Sequence, residues 1–178
     1  MKVSLTGFMG AGKTATGRAL AARLGVPFLD LDDEVERAAD RTIRALFEEE
    51  GEAGFRRREH AALARLLQRP GLDRFVLATG GGTMAQGEPA RLLLAATRTV
   101  WLRVPWAMVL RRLGAEEVRR RPRFQDEAAA RRLYAARIAA YARCELAVDV
   151  AADETADEVA ARVERWLRGE EPAARQGS

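Results

Sequence analysis

The sequence predicts an α/β fold, a parallel sheet with helices on its faces. Three observations predict it. Short apolar runs alternate along the chain with longer amphipathic stretches, the pattern of strands covered by crossover helices. The first run leads directly into GFMGAGKT, Gly7 to Thr14, a glycine-rich turn between a strand and a helix. The second and third runs end in LDLDDE and ATGGGT, and the carboxyl ends of strands are where open α/β sheets bind ligands.

Taken in order, a strand at Val3 to Thr6 precedes a helix from Lys13 to Leu24, in which Leu20 and Leu24 fall at the spacing of a core-facing stripe. A strand at Pro27 to Asp30 is followed by helices from Asp33 to Ala39, Ile43 to Glu49 and Gly54 to Leu67. The strand at Phe75 to Thr79 and the helix from Glu88 to Ala95 come next. Thr99 to Val104 forms the fourth strand, with helices from Trp106 to Leu113 and Asp126 to Ala142. Leu146 to Val150 forms the fifth, and the helix from Ala156 to Arg168 carries Val159, Val163 and Trp166 on one stripe. Each strand is apolar or β-branched almost without interruption, which requires burial on both faces. Trp101, Trp106 and Trp166 read as core or boundary aromatics, and Cys144, beside Leu146 to Val148, as a small core residue.

With 178 residues, 48% of them apolar, the chain can build one full core. A single domain is expected over residues 1–168, with a flexible tail at 169–178, GEEPAARQGS. No apolar run approaches the roughly 18 residues of a membrane span, and the start, MKVSLTG, lacks a signal-peptide organisation. A cytoplasmic protein without a membrane partner is expected. One cysteine and one histidine, His60, exclude a disulfide framework or a Cys/His zinc site within the chain. The formal charge is only +4 and acidic residues interleave with basic ones, so no nucleic-acid partner is expected. Only Lys2 and Lys13 are lysines; every other basic position is Arg.

GFMGAGKT fits the phosphate-loop pattern G-x-x-x-x-G-K-[ST] in its proper strand-to-helix context. Its glycines let successive N–H groups point at phosphate oxygens, and the positive end of the next helix adds attraction. Gly10, Ala11, Gly12, Lys13, Thr14 and Ala15 are therefore candidate ATP contacts. Lys13 reaches the β- and γ-phosphates, and the Thr14 hydroxyl is a magnesium ligand. In a chain that spells its basic positions as Arg, a compact ammonium here is notable. The short length and the absence of an N-K-x-D-like segment favour a small ATP-using kinase over a GTPase switch.

Asp30 and Asp32 end the second strand, where alternation places them on one side. One suits magnesium and the other an attacking hydroxyl; capping of the next helix is the competing task, for which Asp33 is the better candidate. The triple glycine Gly80 to Gly82 marks a place where backbone passes close to something or takes unusual dihedrals. It stands where an acidic magnesium ligand would be expected, so Asp30 takes over that task.

GFMGAGKT, FLDLDDE, LFEEEGEAGFRRRE and LATGGG, in this order and spacing, closely resemble the shikimate kinases, over Lys2 to about Arg168. The resemblance implies a three-layer P-loop kinase fold with a five-stranded parallel sheet of order 2-3-1-4-5. It implies ATP-dependent phosphorylation of the shikimate 3-hydroxyl, with magnesium at Thr14 and Asp30, and Asp32 meeting the shikimate hydroxyls and assisting proton removal. It further places Arg56 and Arg137 on the substrate carboxylate, Gly80, Gly81 and Gly82 against the ring, and Arg121 of a lid at about 113–126 near the phosphates. Arg112 is implied at the adenine. A monomer taking ATP and shikimate is expected.

Helical geometry divides GEAGFRRREH, Gly51 to His60. Successive residues turn by roughly 100°, so Arg56, Arg57 and Arg58 cannot all meet one ligand. Arg56 and Glu59, three apart, can pair, Phe55 anchors the helix, Arg57 and Arg58 face solvent, and His60 is incidental. Within the lid stretch Arg119, Arg120 and Arg123 read as solvated. Where the family reads R-x-P-x-Y, this chain has RIAAY, Arg137 to Tyr141, with Ala139 for proline; Arg143 is the alternative carboxylate ligand. A gluconate or nucleoside monophosphate kinase, and a non-catalytic nucleotide-dependent protein, are the competing functions.

Overall fold

The computed structural model describes residues 1–112 and 127–170. Five parallel strands, β1 (Lys2–Thr6), β2 (Phe28–Asp30), β3 (Phe75–Ala78), β4 (Arg98–Arg103) and β5 (Leu146–Asp149), form one sheet of order β2-β3-β1-β4-β5. The expected strands and their expected order are thus present. β1 and β3 are buried along almost their whole length, whereas the edge strand β2 is half-buried, as expected of a sheet covered on both faces. The crossover from β1 leads to β2 on one side of the sheet, and the crossover from β3 passes β1 to reach β4 on the other, so a crevice opens above the carboxyl end of β1.

The helices are α1 (Lys13–Leu24), α2 (Leu31–Ala39), α3 (Ile43–Leu67), α4 (Gly87–Ala96), α5 (residues 106–112), α6 (Glu127–Tyr141) and α7 (Ala156–Leu167). A 3-10 turn, Thr83–Ala85, precedes α4. α1 and α7 pack together, joined at the surface by Arg23, which reaches Glu164 at 2.7 Å and Asp157 at 3.1 Å. Gly17 lets α1 close onto the sheet, since a Cβ there would stand 2.5 Å from the Phe28 ring. On the other side α2 packs on α3. Leu5, Leu20, Leu63, Leu77, Leu102 and Val163 are fully buried in the shared core. Trp101 and Trp166 join it, as does Cys144, and Trp106 is half-buried.

Most boundaries shift by a residue or two, and three differences from the sequence reading bear on the site. β2 ends at Asp30 and α2 begins at Leu31, so Asp32 lies in the first helical turn and not on the strand beside Asp30. Asp30 is itself the N-cap of α2, accepting the Asp32 amide at 3.1 Å, and Asp33 is not the cap. The third difference is that α3 runs from 43 to 67 with its only non-helical residue at Gly51 (φ 64, ψ −174), so the two expected helices abut across a kink. No helix among the described residues is long and apolar enough to cross a membrane. The expected lid at 113–126, with Arg119, Arg120, Arg121 and Arg123, and the tail from 171 onward lie outside the described residues.

Candidate active site

Gly7, Gly10 and Gly12 hold φ values of 144, 73 and 86, which side chains rarely tolerate. They wrap the loop over the start of α1. Side chains cap α2, α3 and α7, but Gly12 gives α1 no side-chain cap. No side chain competes there as a cap, and a helix start of this kind, with the positive end of its dipole, suits an anion. Lys13 folds back along the loop and donates to the carbonyls of Gly7 at 2.9 Å and Phe8 at 3.1 Å. From α5, Arg112 donates to the Gly10 carbonyl at 3.1 Å. Ala11 is buried beneath the loop, and Ala15 is exposed in the first turn of α1.

The Thr14 hydroxyl donates to Asp30 at 3.1 Å. A hydroxyl and a carboxylate at hydrogen-bond distance beside a phosphate loop are hard oxygen donors of the kind magnesium takes, a cation that keeps waters and phosphate oxygens as its remaining ligands. The residues present fit that ion. Among the described residues no group of three His, Cys, Asp or Glu side chains could hold a metal alone, so Thr14 and Asp30 would share it with the nucleotide.

The triple glycine explains the rest of the crevice. None of the three has positive φ, so unusual dihedrals are not the reason for glycine; at Gly80 and Gly82 close approach is, while Gly81 makes ordinary contacts. A Cβ on Gly80 would stand 2.7 Å from a Glu59 oxygen, one on Gly81 3.4 Å from Arg137 Nη1, and one on Gly82 2.6 Å from Arg56 Nη2. Three charged side chains from two helices therefore rest on three bare Cα atoms.

Glu59 is fully buried, and a buried carboxylate persists only when its oxygens are paired. Arg56 donates to Oε2 at 2.8 Å, Gln86 donates to the same oxygen at 2.7 Å, and Thr83 donates to Oε1 at 2.7 Å. The pairing of Arg56 with Glu59 was legible in the sequence; Thr83 and Gln86 were not, because they follow the glycines by a turn whose course is set in three dimensions. Phe55 is buried and stacks on Phe47 at 4.5 Å, which fixes this part of α3. Arg57 and Arg58 point to a separate groove between α2 and α3, where Arg58 pairs with Glu50. His60 is half-buried and plays no part in these contacts.

Across the cleft, α6 runs unbroken through Ala139. Arg137 is only 6% exposed and lies over the Phe8 ring at 5.5 Å, whereas Arg143 is exposed beyond the helix. A cavity of about 480 Å³ opens between Arg56, Gly82, Gln86, Leu133 and Arg137. Two guanidinium groups thus face one space beside the phosphate loop.

Asp32 keeps more than a third of its surface open to the cleft, yet its carboxyl is pushed up to about 6. The first cause is the loss of surrounding bulk water among the cleft walls. The neighbouring carboxylates Asp30 and Glu59 add to it, while Lys13 and Arg56 pull the other way. Water remains in contact with the oxygens and screens these neighbouring charges. A carboxylate poised near 6 suits proton acceptance at neutral pH.

A family profile described as shikimate kinase matches residues 9–168. The shikimate kinase of Ruegeria pomeroyi is 44% identical over 147 residues, covering 82% of this chain and 74% of its own, and that of Cereibacter sphaeroides is 41% identical over 169 residues, covering 93% and 81%. Among solved structures, shikimate kinase from Acinetobacter baumannii in complex with shikimate superposes with a TM-score of 0.84 at 35% identity, covering 94% of this chain and 93% of the other. A gluconokinase from Sinorhizobium meliloti, at 17% identity and a TM-score of 0.53, shares the fold alone. The phosphate loop, the arginines on the triple glycine and these relatives agree: the chain belongs to the shikimate kinase family.

Proposed function

We propose that this enzyme transfers the γ-phosphoryl group of ATP to the 3-hydroxyl of shikimate, giving shikimate 3-phosphate and ADP. The observation that carries the reading is the convergence of Arg56 and Arg137 on Gly81 and Gly82, within reach of Asp32 and the phosphate loop. A small carboxylate bearing several hydroxyls needs a cationic fork, hydroxyl acceptors and close-lying backbone, and the cleft supplies all three. The Acinetobacter baumannii structure contains shikimate, which supports the same ligand here.

In this reading the amides of Gly10 to Ala15 and the Lys13 ammonium hold the nucleotide phosphates. Lys13 would exchange the loop carbonyls it now holds for phosphate oxygens. Arg56, held by Glu59, and Arg137 orient the acceptor through its carboxylate. Asp32 accepts the proton of the 3-hydroxyl as its oxygen forms the bond to phosphorus and the bond to the ADP oxygen breaks. Thr14 and Asp30 would hold magnesium, which when bound would supply charge neutralisation on the transferring phosphates. The same reading takes the enzyme to act as a monomer in the cytoplasm.

Release of ADP, followed with a coupled assay, tests the assignment. Shikimate is expected to stimulate it, while gluconate and nucleoside monophosphates leave the background rate. Stimulation by one of those in its place would reject the reading.

A further inference from the structure

Tyr141 stands at the triple glycine without a task in the scheme above. It lies one helical turn beyond Arg137 on α6, so both side chains leave the same helix face. Its ring is 1% exposed and packs at 5.8 Å from Trp101 of β4. Its hydroxyl donates to the Gly81 carbonyl, and the Arg137 guanidinium is hydrogen-bonded to the same hydroxyl. A phenol has one proton to give and lone pairs to receive, so Arg137 N–H, Tyr141 O–H and the Gly81 carbonyl form a complete chain. Burial pushes the phenol up to about 12, with Arg137 drawing it the other way, and the donor proton is therefore kept at physiological pH. Gly81 also abuts the phosphate loop: the Cβ position that lies 3.4 Å from Arg137 is 3.5 Å from the Gly7 carbonyl oxygen and 3.6 Å from the Met9 nitrogen.

We propose that Tyr141 is a positioning residue for the acceptor carboxylate, its hydroxyl tying the Arg137 guanidinium to the Gly81 backbone so that acceptor and phosphate loop share one register. The proposal rests on the reading that Arg137 meets that carboxylate. A long cationic side chain loses rotamer freedom when it binds, and a tether made beforehand removes part of that cost. Ala139 keeps α6 helical throughout, which preserves the four-residue spacing from Arg137 to Tyr141 on which the chain depends.

The test compares shikimate with its methyl ester, which lacks the carboxylate charge, in wild type, Y141F, R137A and the double variant. Y141F keeps the ring and its packing. It is expected to lower the ratio of kcat/KM for shikimate to that for the ester about tenfold, as for loss of a hydrogen bond to a charged group, with KM for ATP within about twofold. In the R137A background, Y141F should change that ratio by less than about twofold. If Y141F slows both acceptors alike, Tyr141 only packs and the proposal fails. If R137A leaves the ratio unchanged, the carboxylate reading of Arg137 is wrong and the proposal falls with it; if R137A collapses the ratio and Y141F does not, the proposal alone is wrong.

Discussion

Arg56 illustrates how one side chain becomes specific within a run of three arginines. Its guanidinium is held from behind by a buried carboxylate and from below by a glycine, whereas Arg58 is held by Glu50 on another face. Arg56→Ala is expected to raise KM for shikimate by about 10–100-fold, the worth of a hydrogen bond between charged groups, with KM for ATP nearly unchanged; steady-state kinetics in both substrates checks it. Gly82→Ala should produce the same pattern with Arg56 still present, because the new methyl would stand 2.6 Å from Nη2 and displace the fork. If G82A leaves the shikimate KM at the wild-type value, Arg56 does not act from this position. At Asp32 the active form of a general base is the ionised one. With its carboxyl pushed up to about 6, kcat/KM should fall as pH drops through about 6, and a profile flat from pH 7 to 5 would remove Asp32 from that role.

At the scale of elements, the kink in α3 sets the direction of the segment that carries Arg56. Gly51 sits at φ 64 and ψ −174, a region open essentially to glycine alone, and a Cβ added there would meet no atom within 4 Å. Gly51→Ala therefore meets conformational strain and no steric clash. The expected loss is about 1–3 kcal/mol in urea unfolding, accompanied by a higher KM for shikimate, since the segment carrying Phe55, Arg56 and Glu59 would change direction. Unchanged stability would mean that α3 accepts another backbone path here. α1 shows the complementary case: Gly12 brings no side-chain cap to its start, while Thr155 and Glu158 close a capping box on α7.

For the whole molecule, the site is a source of instability that depends on pH. Asp32 has a folded-state pKa raised from 3.8 to about 6, so the folded chain binds its proton more tightly than the unfolded chain does. Its contribution to stability is full below about 3.8 and is lost as pH rises through about 6. Asp32→Asn is therefore expected to melt higher than wild type at pH 7 to 8, with the difference narrowing toward pH 4; thermal melts across that range check it, and an Asn variant less stable at pH 7 would contradict the linkage. The sheet, the helices, the phosphate loop and the pairing of Arg56 with Glu59 were legible in the sequence, because each follows from periodicity or from spacing within one element. Three features were not. Asp32 lies on α2 and not on β2 because Asp30 both ends the strand and caps the helix, and with aspartates at 30, 32 and 33 residue type alone does not choose which one caps. Thr83 and Gln86 reach Glu59, and Tyr141 reaches Gly81, across 24, 27 and 60 positions of chain. By itself the sequence determined the local geometry and the phosphate chemistry; only the tertiary structure decided which side chains share Glu59 and the three glycines, because those contacts join elements whose approach is set by packing.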